Sequence, residues 1–152
     1  MMSTRSTIAR TLTAVALACT TLAVTGGPSG ATTALSCKGA SCVGKDPADY
    51  GCDADAVRVA ISSSRDWESS VRLMRSAKCS AYWAVGVDES SCCGYSVVKA
   101  TRQIKTTYGW YNQRVQTVSH SNGAGSRWTP MNQNTSGDRH QACYYTCTTW
   151  ES

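Results

Sequence analysis

From Val57 onward the chain alternates apolar and polar residues with a period of two, and no window sustains the 3.6-residue spacing of an amphipathic helix. Val57, Val59 and Ile61 alternate with Arg58, Ala60 and Ser62, which predicts a half-buried strand. Ser62 to Ser69 makes the return, and Val71 and Leu73 then alternate with Arg72, Met74 and Arg75. After Lys78 the run Ala81, Trp83, Val85, Val87 keeps one apolar face, so three consecutive strands are expected. A loop from Asp88 to Gly94 follows, then a long strand over Tyr95 to Thr107, a turn near Gly109 and a return through Gln113 to Ser119. Asn122-Gly123-Ala124-Gly125 is a strong breaker. Beyond it the pattern predicts a short strand over Arg127 to Met131, a polar loop from Asn132 to Asp138, and a C-terminal segment, Cys143 to Trp150, fixed back to the body. The expectation is a mainly β protein: six or seven short antiparallel strands in a meander, sandwich or small barrel.

The N-terminal stretch has a different character. Met1 to Arg10 carries Arg5 and Arg10 with no acid, Thr11 to Val24 is mostly apolar, and Ser29-Gly30-Ala31 supplies small residues. This is the layout of a secretory signal peptide, residues 1–31, with cleavage after Ala31 or nearly as well after Ala34. The apolar stretch is shorter than the roughly 18 residues a membrane span needs, and no second such run follows, so no membrane span is expected. Cys19 is not read as a lipid anchor, because the apolar run continues past it through Leu22 and Val24. Residues 32–152 are then a single domain with a short N-terminal arm, Thr32 to Ser36, and its expected location is extracellular.

Export changes how the cysteines read. Cys37, Cys42, Cys52, Cys79, Cys92, Cys93, Cys143 and Cys147 lie after the signal. Their even number in an exported chain argues for four disulfides, with many connectivities open. Such staples suit a core that has no Phe and is built from Val, Ala, Trp and Tyr. Zinc is the rival reading, through His140, Cys143 and Cys147 with Cys92 and Cys93. These five residues do not make two matching C-x2-4-C pairs, and adjacent cysteines on a strand point to opposite faces. Disulfides are therefore expected, Cys92 and Cys93 each bonded to a different partner.

Three blocks carry a resemblance. They are Cys37 with Cys42-Val43-Gly44-Lys45-Asp46-Pro47 and Gly51-Cys52, then Val71 to Trp83 around Lys78-Cys79, then Thr129-Pro130-Met131. Together they resemble the YjfA-like family of small secreted Gram-positive proteins, a domain of unknown function. The match spans most of the chain after the signal, with Cys92 and Cys93 as a departure. It implies export and a stapled fold, and it supplies no mechanism.

Charge and catalytic motifs add little. Losing Arg5 and Arg10 lowers the formal charge from +5 to +3, and the remaining basic residues are dispersed, so nucleic acid is not an expected partner. His120 lies between Ser119 and Ser121, but the chain has no G-x-S-x-G, no H-E-x-x-H, no phosphate-binding loop around Gly44-Lys45 and no C-x-x-C. No catalytic residue and no cofactor is assigned, and His120 and His140 are both expected to be dispensable. Asp46, Asp49, Asp53 and Asp55 form a weak Ca²⁺ candidate, although Asp at such turns commonly caps backbone N–H groups.

The aromatic residues are the remaining surplus. Trp83 belongs to an apolar strand face. Trp67 in a polar turn, and Tyr108, Trp110 and Tyr111 around Gly109, have no evident folding role, and exposed aromatics on rigid turns are typical contact anchors. Two functions are expected from this. The first is a non-enzymatic module binding another secreted or cell-surface protein, as an adaptor, inhibitor or antagonist. The alternative is a small secreted hydrolase or toxin.

Overall fold

A computed structural model describes residues 35–64, 69–89, 95–121 and 124–152, without the side chains of Tyr95, His120 and Ser121. Residues 1–34, which include the expected signal and most of the expected arm, and Trp67, Cys92 and Cys93 lie outside the described residues. The protein is mainly β, as the alternation predicts. A short 3-10 turn, η1 (Gly39–Cys42), precedes β1 (Val57–Ser63), β2 (Ser69–Ser76), β3 (Ala81–Asp88), β4 (Tyr95–Thr106), β5 (Gly109–Ser121), β6 (Gly125–Trp128), β7 (Asn132–Gln133), β8 (Arg139–Tyr144) and β9 (Thr146–Cys147). Strands exceed the expected six or seven because the polar loop expected from Asn132 and the C-terminal segment from Cys143 each hold a two-residue strand. All pairings are antiparallel.

The strands form two sheets. One runs β1-β2-β3-β6, with β7 also pairing β3, and the other runs β5-β4-β8-β9. Val71, Leu73, Tyr82 and Ala84 of the first pack against Val98, Ala100, Ala142 and Tyr144 of the second, so the two faces enclose one core. Gly86 sits where the sheets approach closely. A Cβ there would collide with Val98 and lie 3.3 Å from the Tyr144 ring.

Strand β3 is buried on both faces from Ala81 to Gly86, where one apolar face was expected. Tyr82, Ala84 and Gly86 face the opposing sheet. The more conspicuous odd positions, Ala81, Trp83 and Val85, instead pack with Met131 and three cysteine side chains, Cys42, Cys52 and Cys79. The cysteine-rich lead therefore forms a third layer over the back of the first sheet. Ala and Gly at 84 and 86 are too small to register as an apolar stripe, which hides the true sandwich face from a periodicity reading.

Strand β1 also departs from its expected pattern. A bulge between Arg58 and Ala60 shifts its pairing with β2, so Val59 and Ala60 both pack toward the core. Val57 and Ile61 are left exposed on the edge of the sheet. An extra residue in one strand does this to any period-2 pattern.

Among the described residues three disulfides close: Cys37–Cys42, Cys52–Cys79 and Cys143–Cys147. The first two pin the irregular lead. The third clasps the β8–β9 hairpin across directly paired positions, where Tyr145 takes a left-handed conformation, φ 52. The C-terminal segment is thus fixed to the body by β8 pairing on β4 rather than by a long-range bridge. Cys92 and Cys93, expected to bond different partners, lie outside the described residues.

The Thr129-Pro130-Met131 element knits layers together. Thr129 Oγ1 accepts from the Ala84 N–H at 3.0 Å and the Thr129 N–H donates to the Ala84 carbonyl at 3.0 Å. Gly44 N–H donates to Met131 O, and Met131 N–H to Lys45 O. The first and last blocks of the family resemblance are therefore spatial neighbours. The short strand expected over Arg127 to Met131 ends instead at Trp128.

Buried polar groups sit between the sheets. Tyr144 donates to Asp88 Oδ2 at 2.9 Å and accepts from Ser96 at 3.0 Å. Burial pushes its phenol up to about 12. Arg102 pairs with Asp138 at 2.6 Å, both side chains nearly sealed from solvent. His140 is 1% exposed, stacks on Tyr82 with centroids 4.1 Å apart, and leaves both ring nitrogens without a hydrogen bond. Burial pushes its imidazole down to about 4, opposed by the Asp138 carboxylate and reinforced by Arg102. His140 is a core residue, so the expectation that it is dispensable applies only to variants that keep the fold.

Candidate functional site: an exposed aromatic hairpin

Strands β4 and β5 are 12 and 13 residues long, whereas β1, β2 and β3 opposite them are 7 or 8. At about 3.4 Å per residue the surplus carries their shared end well past the sandwich. Every residue from Lys105 to Val115 is exposed. The tip is a two-residue turn, Thr107 and Tyr108, closed by Thr106 pairing with Gly109. Thr106 Oγ1 donates to the Gly109 carbonyl at 2.8 Å, and Gly109 takes φ 114, open to glycine and strained for other residues.

The three sequence-predicted aromatics all lie here. Tyr108 stands at the apex with 101% relative exposure, Tyr111 is 63% exposed and Trp110 40%. Val115 adds a further exposed apolar side chain on β5. Trp67, the fourth candidate, lies outside the described residues.

Trp110 is held in a way the sequence does not reveal. The register places Gln103 opposite both Asn112 on β5 and Arg139 on β8. Gln103 donates to Asn112 Oδ1 at 2.5 Å and accepts from Arg139 Nε at 2.7 Å, a side-chain ladder across three strands. That ladder fixes the Arg139 guanidinium over two rings, Trp110 at 4.1 Å and Trp150 at 4.5 Å from their centroids. Trp110 is thus pre-oriented while much of its surface faces water. Arg139 and Trp150 were missed because 29 and 40 residues of chain separate them from Trp110, and only the strand register brings them together.

Alternation along β4 and β8 sets Lys99 and Lys105 on the same outer face as Gln103 and Arg139. The face combines three cations, side-chain amides and a ring pair. It suits a partner offering carboxylates beside an apolar spot, and adhesion there loses little side-chain entropy because the ladder has already ordered the groups.

The other candidates separate from this site. Asp46 Oδ1 accepts from the Ala48 N–H at 2.8 Å. Asp55 accepts from Ser76 Oγ at 2.5 Å and from the Lys78 N–H at 2.8 Å, and the Ser76 hydrogen bond holds its carboxyl below the usual range. These are turn-capping roles, and among the described residues Asp46, Asp49, Asp53 and Asp55 do not gather into a ligand set. His140, Cys143 and Cys147 form no metal centre either, since the two cysteines are bonded and the imidazole is enclosed against Tyr82. The enclosure also removes His140 as a hydrolase base. The His120 side chain is outside the description.

Fold and site define a class: a disulfide-stapled β sandwich with a projecting aromatic hairpin. No family model, no curated protein and no solved structure matches the chain. Among the described residues no helix is long and apolar enough to cross a membrane.

Proposed function

We propose that this chain is an exported binding module of the YjfA-like kind that docks another secreted or cell-surface protein through the β4–β5 hairpin. The observation that carries the reading is the Trp110 arrangement. A tryptophan is kept 40% exposed on a hairpin where Arg139, stacked on its ring, orients it and leaves the rest open. Aromatic residues placed this way are the usual energetic anchors of protein interfaces. The N-terminal 1–31 segment and the three closed disulfides support export, where such bridges persist. The roles open to the module are adaptor in an extracellular assembly and inhibitor or antagonist of its partner.

The test is a comparison of affinity with stability. With the partner identified by co-purification from culture fluid, Trp110→Ala weakens binding by about 30-fold, equivalent to roughly 2 kcal/mol. Folding stability falls by at most about 1 kcal/mol, the scale of one solvent-exposed cation–π contact with Arg139. Unchanged affinity in a folded variant overturns the assignment of the arm.

A further inference from the structure

The two disulfides of the lead lie side by side. The Sγ atoms of Cys37, Cys42, Cys52 and Cys79 all fall within 4.8 Å of one another, and Cys37 Sγ approaches Cys52 Sγ, its neighbour in the other bridge, to 3.8 Å. A tetrahedral tetrathiolate zinc site with Zn–S of about 2.3 Å has sulfur–sulfur edges of about 3.8 Å. The cross-bridge contact already has that length. From these observations we propose that this cluster is a redox-gated metal site, which holds two disulfides when oxidised and one Zn²⁺ when reduced.

The backbone around the cluster is organised by bonds that do not depend on the bridges. Gly39 N–H donates to Cys79 O at 2.7 Å, Cys52 N–H to Pro47 O at 2.8 Å, and Cys79 N–H to Ser76 Oγ at 2.9 Å. The Gly44–Met131–Lys45 pairing anchors the segment after Cys42. Cys42, whose carbonyl accepts from the Lys45 N–H at 3.0 Å, Cys52 and Cys79 therefore stay on anchored backbone after the S–S bonds are cut, and Cys37 lies two residues before the anchored Gly39. Cys42, Cys52 and Cys79 are buried and packed with Ala81, Trp83 and Met131, while Cys37 is only partly covered. Reductant and metal enter from the Cys37 side. Soft thiolates in a dry pocket select zinc over hard cations.

The chemistry balances with a dithiol as reductant. Two dithiol molecules give up four electrons and four protons, becoming two cyclic disulfides, and the Cys37–Cys42 and Cys52–Cys79 bonds become four thiols. Zn²⁺ then displaces four protons to form a tetrathiolate of net charge −2, so retention falls as pH is lowered.

The experiment uses the full chain after removal of the signal, reduced with excess dithiol, then freed of reductant under nitrogen and divided between ZnCl2 and a chelator. After desalting, zinc content is measured, the protein is pulsed with an alkylating agent, and labelled cysteines are mapped by peptide mass spectrometry. The expected result is one zinc retained per chain, with Cys37, Cys42, Cys52 and Cys79 protected at least 10-fold relative to the chelator sample and Cys143 and Cys147 labelled equally in both. Failure to retain zinc overturns the proposal. So does zinc retained with those four cysteines labelled as fast as in chelator, which places the metal elsewhere. Because the mapping is done on the unmodified sequence, no cysteine variant has to fold.

Discussion

Acid should destabilise this protein through a single buried imidazole, in a pH window set by His140. Its pKa falls from 6.5 to about 4 in the folded state, so between those values the unfolded chain binds more protons than the folded one. Stability is therefore full above about pH 6.5, declines as pH falls through the window, and levels off near pH 4. At about 1.4 kcal/mol per unit, the loss amounts to about 3 kcal/mol, a large fraction of the roughly 5 to 15 kcal/mol that holds a domain together. The charged groups closest to the ring are Asp138, which favours protonation, and Arg102, which opposes it. Asp55 acts in a separate range. Its lowered pKa contributes stability that is present above 3.8 and lost only below it. The assay is urea unfolding followed by tryptophan fluorescence from pH 7.5 to 4.5, disulfides intact, for the native protein and for His140→Phe, which keeps a ring against Tyr82. The native midpoint should fall by roughly 1 to 2 M across the window, and the Phe variant should lose most of that slope. Equal slopes in the two proteins would refute the buried neutral imidazole.

Three further outcomes test the packing. Gly86→Ala drives a Cβ into Val98 between the sheets and should cost about 1 to 3 kcal/mol by chemical denaturation. Asp138→Asn leaves the Arg102 guanidinium buried without its counter-charge and should lower stability by about 3 kcal/mol or more. Paired replacement of Cys52 and Cys79 by Ser opens a 27-residue separation and should cost about 3 to 4 kcal/mol, well above the same change at Cys143 and Cys147, only 4 apart; thermal unfolding of the two double variants ranks them.

Much of the fold was legible because the strands in the first two thirds of the chain are long and their alternation is strong. β2 shows it most clearly, with Val71 and Leu73 inward and Arg72 and Met74 opposite. What failed was the reading of small residues. Ala84 and Gly86 carry no hydrophobic signal, yet they form the sandwich face, so β3 looked one-sided. The β1 bulge was invisible because an inserted residue leaves no compositional mark. The short β7 and β9 strands are specified by tertiary pairing rather than by local propensity. For the site, Tyr108, Trp110 and Tyr111 could be found from aromatics beside Gly109 at a turn. Arg139 and Trp150 could not, because their relation to Trp110 is a matter of register across β5, β4 and β8. The enclosure of His140 was not legible for a related reason: its neighbours Tyr82 and Arg102 come from opposite sheets, and nothing adjacent in sequence announces that the ring is enclosed.

The claim that the hairpin is a contact surface is tested most directly by photo-crosslinking from its apex. A photoreactive amino acid replaces Tyr108, the most exposed aromatic of the hairpin, in the protein expressed in its own producing cells, and a second sample carries the same group at Arg58 on the β1 edge. The account predicts a discrete adduct from position 108 with a secreted or cell-surface protein, lost when Trp110→Ala is added, and none from position 58. Adducts from position 58 with none from position 108 would contradict it.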